Sequence, residues 1–234
     1  MVTRKLFNHQ LVEPPKLIQI NDTETGKRCY GLEDGTRFPS VTTVLKELPS
    51  KGLDAWRKRL GDKEADKVSK RASDRGSALH KAMEQYVRNE QPVIEQPIVK
   101  SLFNQVRNSF NAIDNVKVIE SPLYSRRLFM AGTPDLIGDY NNILSVVDLK
   151  TSTRPKLDKY IWSYYCQVAA YAVMFHELYG VRPKQGVIII AIEDSPVPQV
   201  FKKPISECFD LLVEYVEKLQ EYRNDTKNKS KSLD

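Results

Sequence analysis

The chain has 234 residues, 41% of them hydrophobic and 28% charged, which is enough for one sizeable core. Its 36 Lys and Arg against 30 Asp and Glu leave a formal charge of +6, a modest basic excess that suits a polyanionic partner. No apolar run reaches the length of a membrane span, and Met1–Gln10 lacks the apolar centre of a signal peptide, so a cytoplasmic location and no membrane partner are expected. Cys29, Cys166 and Cys208 form no C-x-x-C pair, which argues against a structural zinc or four-cysteine cluster and fits reduced thiols.

Leu17–Ile20 and Arg28–Gly31 read as short strands, with turn chemistry at Asn21-Asp22 and Thr25-Gly26. Asp34-Gly35 marks another turn. Ser40 is placed to cap a helix over Val41–Leu48. Gly52–Lys70 reads as a surface helix with Leu53, Trp56 and Leu60 as its apolar stripe. Its cations (Arg57, Lys58, Arg59, Lys63, Lys67) alternate with Asp62, Glu64 and Asp66, the pattern of a solvated face. A second helix spans Arg75–Val87, buried through Leu79, Met83 and Val87. A third spans Ile98–Ile113, with Val99, Leu102, Val106, Phe110 and Ile113 turned inward.

Strands follow. Val116–Tyr124 is expected to pair with Leu128–Gly132 as a hairpin, and Asp135–Gly138 continues the second strand or begins the next. Asn141-Asn142 turns the chain into the strand Ile143–Thr151. Ile161–Tyr179 is a long amphipathic helix, stopped by Gly180 with Pro183 beyond. Val187–Ile192 is apolar and mostly β-branched, as a buried strand is, and Gln199–Lys202 is its expected partner. Ser206 is expected to cap a last helix with Phe209, Leu212, Val216 and Leu219 on one face. Residues 223–234 read as a disordered basic tail. The fold class is α/β: a central mixed sheet flanked by helices, with a helical N-terminal portion. One domain over 1–234 is expected, with 1–115 as the hairpin and helical portion, 116–222 as the core and 223–234 as the tail. A separate N-terminal subdomain is the alternative.

The chemistry is concentrated in Ala131-Gly-Thr-Pro-Asp135 and Val146-Val-Asp148-Leu-Lys150. On a strand, Asp148 and Lys150 share a face, and Val147 and Leu149 take the other. The run Ile143 to Leu149 is too apolar for a freely solvated edge. The short turn after Asp135's strand brings that carboxylate toward Asp148. Two close carboxylates repel unless a cation lies between them, and hard oxygens favour magnesium or manganese. Two carboxylates, a lysine and a hard divalent ion meet the needs of phosphodiester hydrolysis. Whether Lys150 is a base or a charge stabiliser stays open. The chain has no G-x-S-x-G elbow, Walker loop or H-E-x-x-H, so it shows no ATPase of its own.

Pro134-Asp135 with Asp148-Leu149-Lys150 resembles the signature of the PD-(D/E)XK nuclease superfamily, whose core is restriction-endonuclease-like. Arg75-Gly76-Ser77-Ala78-Leu79-His80, followed by Glu84, resembles the first motif of its RecB-like exonuclease branch. Gln167-Val-Ala-Ala-Tyr171 resembles that branch's Q-x-x-x-Y motif. Ser40-Val-Thr-Thr-Val-Leu45 is similar to the opening of phage exonucleases and of mitochondrial genome maintenance exonucleases. The resemblance runs in order from Pro39 to Ile192.

The resemblance implies a metal-dependent DNA exonuclease, acting on single strands or DNA ends in phage or bacterial replication, recombination or repair. It implies DNA as partner, with other replication or recombination proteins. His80, Asp135, Asp148 and the Leu149 carbonyl would hold Mg2+ or Mn2+. Asp135, Asp148 and Lys150 would be catalytic, with Gln167 and Tyr171 supporting the lysine and the DNA phosphate. Two alternatives remain: a sequence-specific endonuclease, for which no specificity domain is visible, and a silent DNA-binding recombination scaffold, which the intact Asp135, Asp148 and Lys150 set opposes.

Other residues have two readings. Glu84 is a solvated helix residue or stands behind the ligands. Glu120 is an extra acidic ligand or a partner of Arg126 or Arg127. His9 and His176 read as structural. Ser40, Arg75, Thr151, Ser152, Arg154, Lys156 and Lys159 are candidates for DNA contact. Tyr160, Trp162, Tyr164 and Tyr165 stack on unpaired bases or pack the helix, and packing is expected for at least half of them.

Overall fold

A computed structural model describes residues 5–22 and 26–231. Met1–Arg4, Thr25 of the first expected turn, and the last three residues of the expected tail lie outside the described residues. The chain opens with β1 (Ile18–Asn21), β2 (Arg28–Gly31) and β3 (Arg37–Pro39), a small antiparallel sheet. Four helices follow: α1 (Val41–Val44), α2 (Lys51–Leu60), α3 (Asp62–Val87) and α4 (Pro97–Phe110). Next come β4 (Ile113–Ile119), β5 (Leu123–Ser125), β6 (Met130–Gly132), β7 (Leu136–Tyr140) and β8 (Ile143–Ser152). Helix α5 (Trp162–Tyr179), β9 (Gln185–Ile192), β10 (Gln199–Pro204) and α6 (Ile205–Lys231) complete the fold.

The central sheet has the order β10-β9-β8-β7-β4. Only β8 and β9 run parallel, joined by the crossover helix α5; the other pairs are antiparallel. The sheet is therefore mixed, and helices cover both faces, as expected of the α/β class. Val147, Leu149, Val187 and Ile189 pack with α3 and α4. Val146, Ile188 and Ile190 pack with α5 and α6. The two-residue alternation of strands thus divides one apolar run between two cores, which is why β8 and β9 read as nearly continuous hydrophobic segments. No described helix is long and apolar enough to cross a membrane.

Several expected elements differ. The helix expected over Gly52–Lys70 breaks at Gly61, whose φ of 80° suits a residue without Cβ. Beyond it α3 runs unbroken through Gly76, so the expected second helix is its C-terminal half. A Cβ on Gly76 would meet Thr151 Oγ1 at 3.7 Å, an ordinary contact that marks where α3 crosses β8. The α2 stripe is not buried: Leu53 and Leu60 are 53% and 39% exposed. Ser40 caps α1 as expected, accepting from Thr43 N at 3.0 Å, but the helix is a single turn and does not reach Leu48.

The expected strand Val116–Tyr124 is two strands. Glu120 takes a left-handed φ of 43°, and Pro122 has no N–H for a ladder. Leu128–Gly132 therefore supplies β6, which pairs with β5, while β4 pairs with β7. Helix α6 begins at Ile205, ahead of the expected cap Ser206. Its buried stripe is Cys208, Leu212, Tyr215 and Leu219, whereas Phe209 is 40% exposed. The backbone stays helical to Lys231, where a structureless tail was expected from residue 223.

Candidate active site

The site forms where β7 ends. Leu136 pairs with Val147, and past that rung β8 has no strand on its β7 side. The N–H of Leu149 donates instead to Asp135 Oδ2 at 2.6 Å. The carbonyl of Leu149 faces the same side, 2.9 Å from His80 Nε2 on α3. A carboxylate and an imidazole thus take the place of a missing strand.

Asp148, one residue earlier on β8, is 1% exposed. Its Oδ1 accepts from Lys150 Nζ at 2.5 Å. Its Oδ2 is buried with no hydrogen-bond partner among the described residues. Both Asp135 and Asp148 act electrostatically on Lys150 and on Tyr171. Burial, and after it the charge of Asp135, pushes the Asp148 carboxyl up to about 6. Burial works the same way on Asp135, but His80 and Lys150 outweigh it and hold that group below the usual range. Lys150 is buried, which disfavours its charge; Asp148 and Asp135 more than offset this and raise it. The Tyr164 ring lies 5.2 Å from the ammonium.

On the α3 side, His80 Nδ1 lies 3.3 Å from Asp135 Oδ1 and 3.4 Å from Glu120 Oε1. Burial disfavours the imidazolium, but Asp135 and Glu120 push His80 up to about 10. Burial raises the Glu120 carboxyl. The left-handed backbone of Glu120 costs roughly 1–2 kcal/mol and turns its side chain to His80. Its N–H donates to the Asp135 carbonyl at 3.1 Å. Arg126, an alternative partner, instead pairs with Asp34 at 2.8 Å. His80, Glu120 and Asp135 each offer a ligand atom, and these atoms all lie within 4.8 Å of one another. Glu84 lines the same cleft and pairs with Arg88 Nε at 3.0 Å.

The imidazole of His80 and the carboxylates of Glu120 and Asp135, with the Leu149 carbonyl beside His80, form a donor set that suits a hard divalent cation; Asp148 is not among the three residues whose ligand atoms lie together. Sequence reasoning gave Glu120 a minor place. Its only signal was an acid at a strand end, and the backbone conformation that aims it has no local signature.

On α5, Gln167 and Tyr171 are buried one turn apart on the same side of the helix. Burial raises the Tyr171 phenol, helped by Asp135 and Asp148. The ring reaches this position because residue 132 is glycine: a Cβ there would lie 2.9 Å from the Tyr171 ring and hydroxyl.

The DNA-contact candidates separate into groups. Ser40 is buried and spent as a helix cap. Arg75 is ion-paired with Glu193 and largely buried. Neither presents a free group to a phosphate. Ser152 is also buried, donating to the Arg154 carbonyl at 2.6 Å. Thr151 is half-buried beside Gly76. Arg154, Lys156 and Lys159 are exposed on the loop after β8. Of the four aromatics, Tyr165 is core and bonds Asp158 at 2.5 Å, and Tyr164 packs at Lys150. Tyr160 and Trp162 face outward, 65% and 40% exposed, with Trp162 stacked on Tyr215.

This arrangement defines a sheet-end cluster of acids, imidazole and amine fit to hold a divalent ion. No protein-family model matches the chain. Among curated proteins, it is 26% identical to human (Homo sapiens) mitochondrial genome maintenance exonuclease 1 over 209 residues, covering 82% of this chain and 60% of that protein. The mouse (Mus musculus) protein of that name is 25% identical over 206 residues, covering 82% and 61%. The Xenopus tropicalis protein is 25% identical over 219 residues, covering 86% and 61%. The chain thus spans about three fifths of the length of these relatives. Against solved structures, "Crystal structure of SSO0001" aligns over 76% of this chain and 83% of that one, at 12% identity and a TM-score of 0.34, too distant to carry an argument.

Gly132→Ala should lower stability by about 1–3 kcal/mol through overpacking against Tyr171. In a Tyr171→Leu background the same change should cost much less. A double-mutant cycle by urea denaturation checks this, and additive penalties would contradict the contact.

Proposed function

We propose that this chain is a metal-dependent deoxyribonuclease of the PD-(D/E)XK superfamily, in its RecB-like branch, acting as an exonuclease on single-stranded DNA or DNA ends. The carrying observation is that Asp135 and His80 take up the Leu149 backbone groups left without a strand partner, while the next residues on either side of Leu149 are the buried, paired Asp148 and Lys150. The exonuclease names of the relatives support the reading. We read residues 1–234 as one nuclease domain, working in phage or bacterial replication, recombination or repair.

His80, Asp135, Asp148 and the Leu149 carbonyl would hold Mg2+ or Mn2+, with Glu120 beside them. When bound, the ion supplies Lewis acidity toward a phosphoryl oxygen and a lowered pKa for water. Lys150 is held as an ammonium by Asp148 and Asp135. In that form it donates to a phosphate oxygen and stabilises charge, and it has no lone pair to accept a proton. This favours a stabiliser over a base. Burial holds the Tyr171 phenol in its protonated form, able to donate, with Gln167 one turn away on the same helix. Arg154, Lys156 and Lys159 contact strand phosphates, and Tyr160 and Trp162 offer faces for unpaired bases.

End-labelled single- and double-stranded DNA with magnesium or manganese tests the reading. Products released from ends mean an exonuclease. Discrete internal fragments mean an endonuclease, and binding without cleavage means a scaffold. Lys150→Ala should slow cleavage about 100-fold or more while retaining DNA binding. Cleavage by Lys150→Ala at the wild-type rate would remove the site. Tyr160→Ala and Trp162→Ala should each weaken single-strand binding by about 1–3 kcal/mol and leave duplex binding unchanged. Equal losses on both substrates would assign these rings no base contact.

A further inference from the structure

A second concavity lies at the other end of α5. Its wall comprises His176 on α5, Arg182 and Lys184 on the following loop, Arg127 on the β5–β6 turn, and Phe209 and Asp210 on α6, around a volume of about 600 Å³. That size falls within the ~300–1,000 Å³ of small-molecule sites. Lys184 immediately precedes β9, and β9 runs parallel to β8 with Gln185 beside Ser145. The concavity therefore lies at the starting end of these strands, and the Asp148–Lys150 cluster lies toward their far end.

The walls are tied together. Glu177 on α5 accepts from Ser125 Oγ at 2.6 Å and from Arg126 N at 2.9 Å, which fixes the turn that carries Arg127. Lys184 N donates to the Leu144 carbonyl at 2.8 Å, and Ile205 N donates to the Lys184 carbonyl at 2.9 Å. The space is therefore preformed.

Its chemistry is one-sided. Arg127, Arg182 and Lys184 are exposed on the rim, and none forms an ion pair among the described residues. His176 Nδ1 is buried and lacks a hydrogen-bond partner among the described residues. Asp210 is the acid on this wall. Against the cations lies an apolar surface that includes the 40% exposed ring of Phe209. Three cations without an ion-pair partner among the described residues outnumber the single acid on this wall and suit an anion, and two of them are guanidinium forks that match phosphate. The apolar surface demands a flat or greasy body attached to that anion.

We propose that this concavity binds a phosphate monoester carried on an aromatic body, the chemistry of a nucleoside monophosphate. The phosphate meets Arg127, Arg182 and Lys184, and the base lies on Phe209. The ligand is either the free nucleotide or the 5′-phosphorylated end of a strand. The site is separate from the Asp148–Lys150 cluster and does not depend on the reaction assigned there.

Calorimetric titration of the full chain in EDTA, with dTMP, thymidine and inorganic phosphate as separate ligands, tests this. We expect one dTMP per chain, with thymidine and phosphate each bound about tenfold more weakly or worse. The exposed pair Arg127→Ala/Arg182→Ala should lose about tenfold or more in dTMP affinity, and Phe209→Ala should also weaken it. Asp148→Asn should bind dTMP as the wild type does. A 5′-phosphorylated dT4 that displaces dTMP identifies the strand end as the ligand, and one that does not identifies the free nucleotide. The proposal is overturned if dTMP binds no better than its parts, if the double arginine variant binds normally, or if Asp148→Asn abolishes binding.

Discussion

A β-ladder stops one rung early, and the candidate site follows from that. Had β7 continued beside Asp148, the N–H and carbonyl of Leu149 would have been consumed by a neighbouring strand. Because β7 begins only at Leu136, the backbone donor and acceptor of Leu149 have no strand partner on that side. Buried backbone groups must find partners. Asp135 satisfies the donor and His80 the acceptor, and these two bonds bring an acid and an imidazole into contact beside the Leu149 peptide.

The electrostatics follow from burial. Asp135, Asp148 and Glu120 would repel one another in a dry pocket, and each would gain by taking up a proton. The fold offsets this with His80 on one side and Lys150 on the other, so cations already balance the acids. Asp148 carries the cost most visibly: one oxygen is held by Lys150, while the other is buried without a partner. That buried, unsatisfied oxygen is what motivates the proposal that Asp148 is a metal ligand. Tyr171 closes the α5 side, at a distance that glycine at 132 alone permits.

Much of this was legible in the sequence because strong periodicity leaves few choices. The apolar runs of β8 and β9, the length of α5 with its Gly180 stop, and the i, i+2 placement of Asp148 and Lys150 all followed from strand and helix geometry. What was missed had local equivalents. Gly61 and Gly76 are both glycines in a polar helical stretch, and only tertiary packing decides that one breaks the helix while α3 passes through the other. On α6 the sets 208, 212, 215, 219 and 209, 212, 216, 219 both have helical spacing. Contact with α5 selected the first and turned Phe209 outward. Glu120 depended on a left-handed residue that nothing in its neighbours announces. Arg75 looked free until the end of β9 brought Glu193 to it.

The central claim is that Asp135 and Asp148 hold one divalent ion between neighbouring strands. Calorimetric titration of Mn2+ into the wild type, Asp135→Asn and Asp148→Asn measures this without DNA or turnover. The account predicts saturable binding by the wild type and a loss of about tenfold or more in each variant. Wild-type affinity in Asp148→Asn would contradict it.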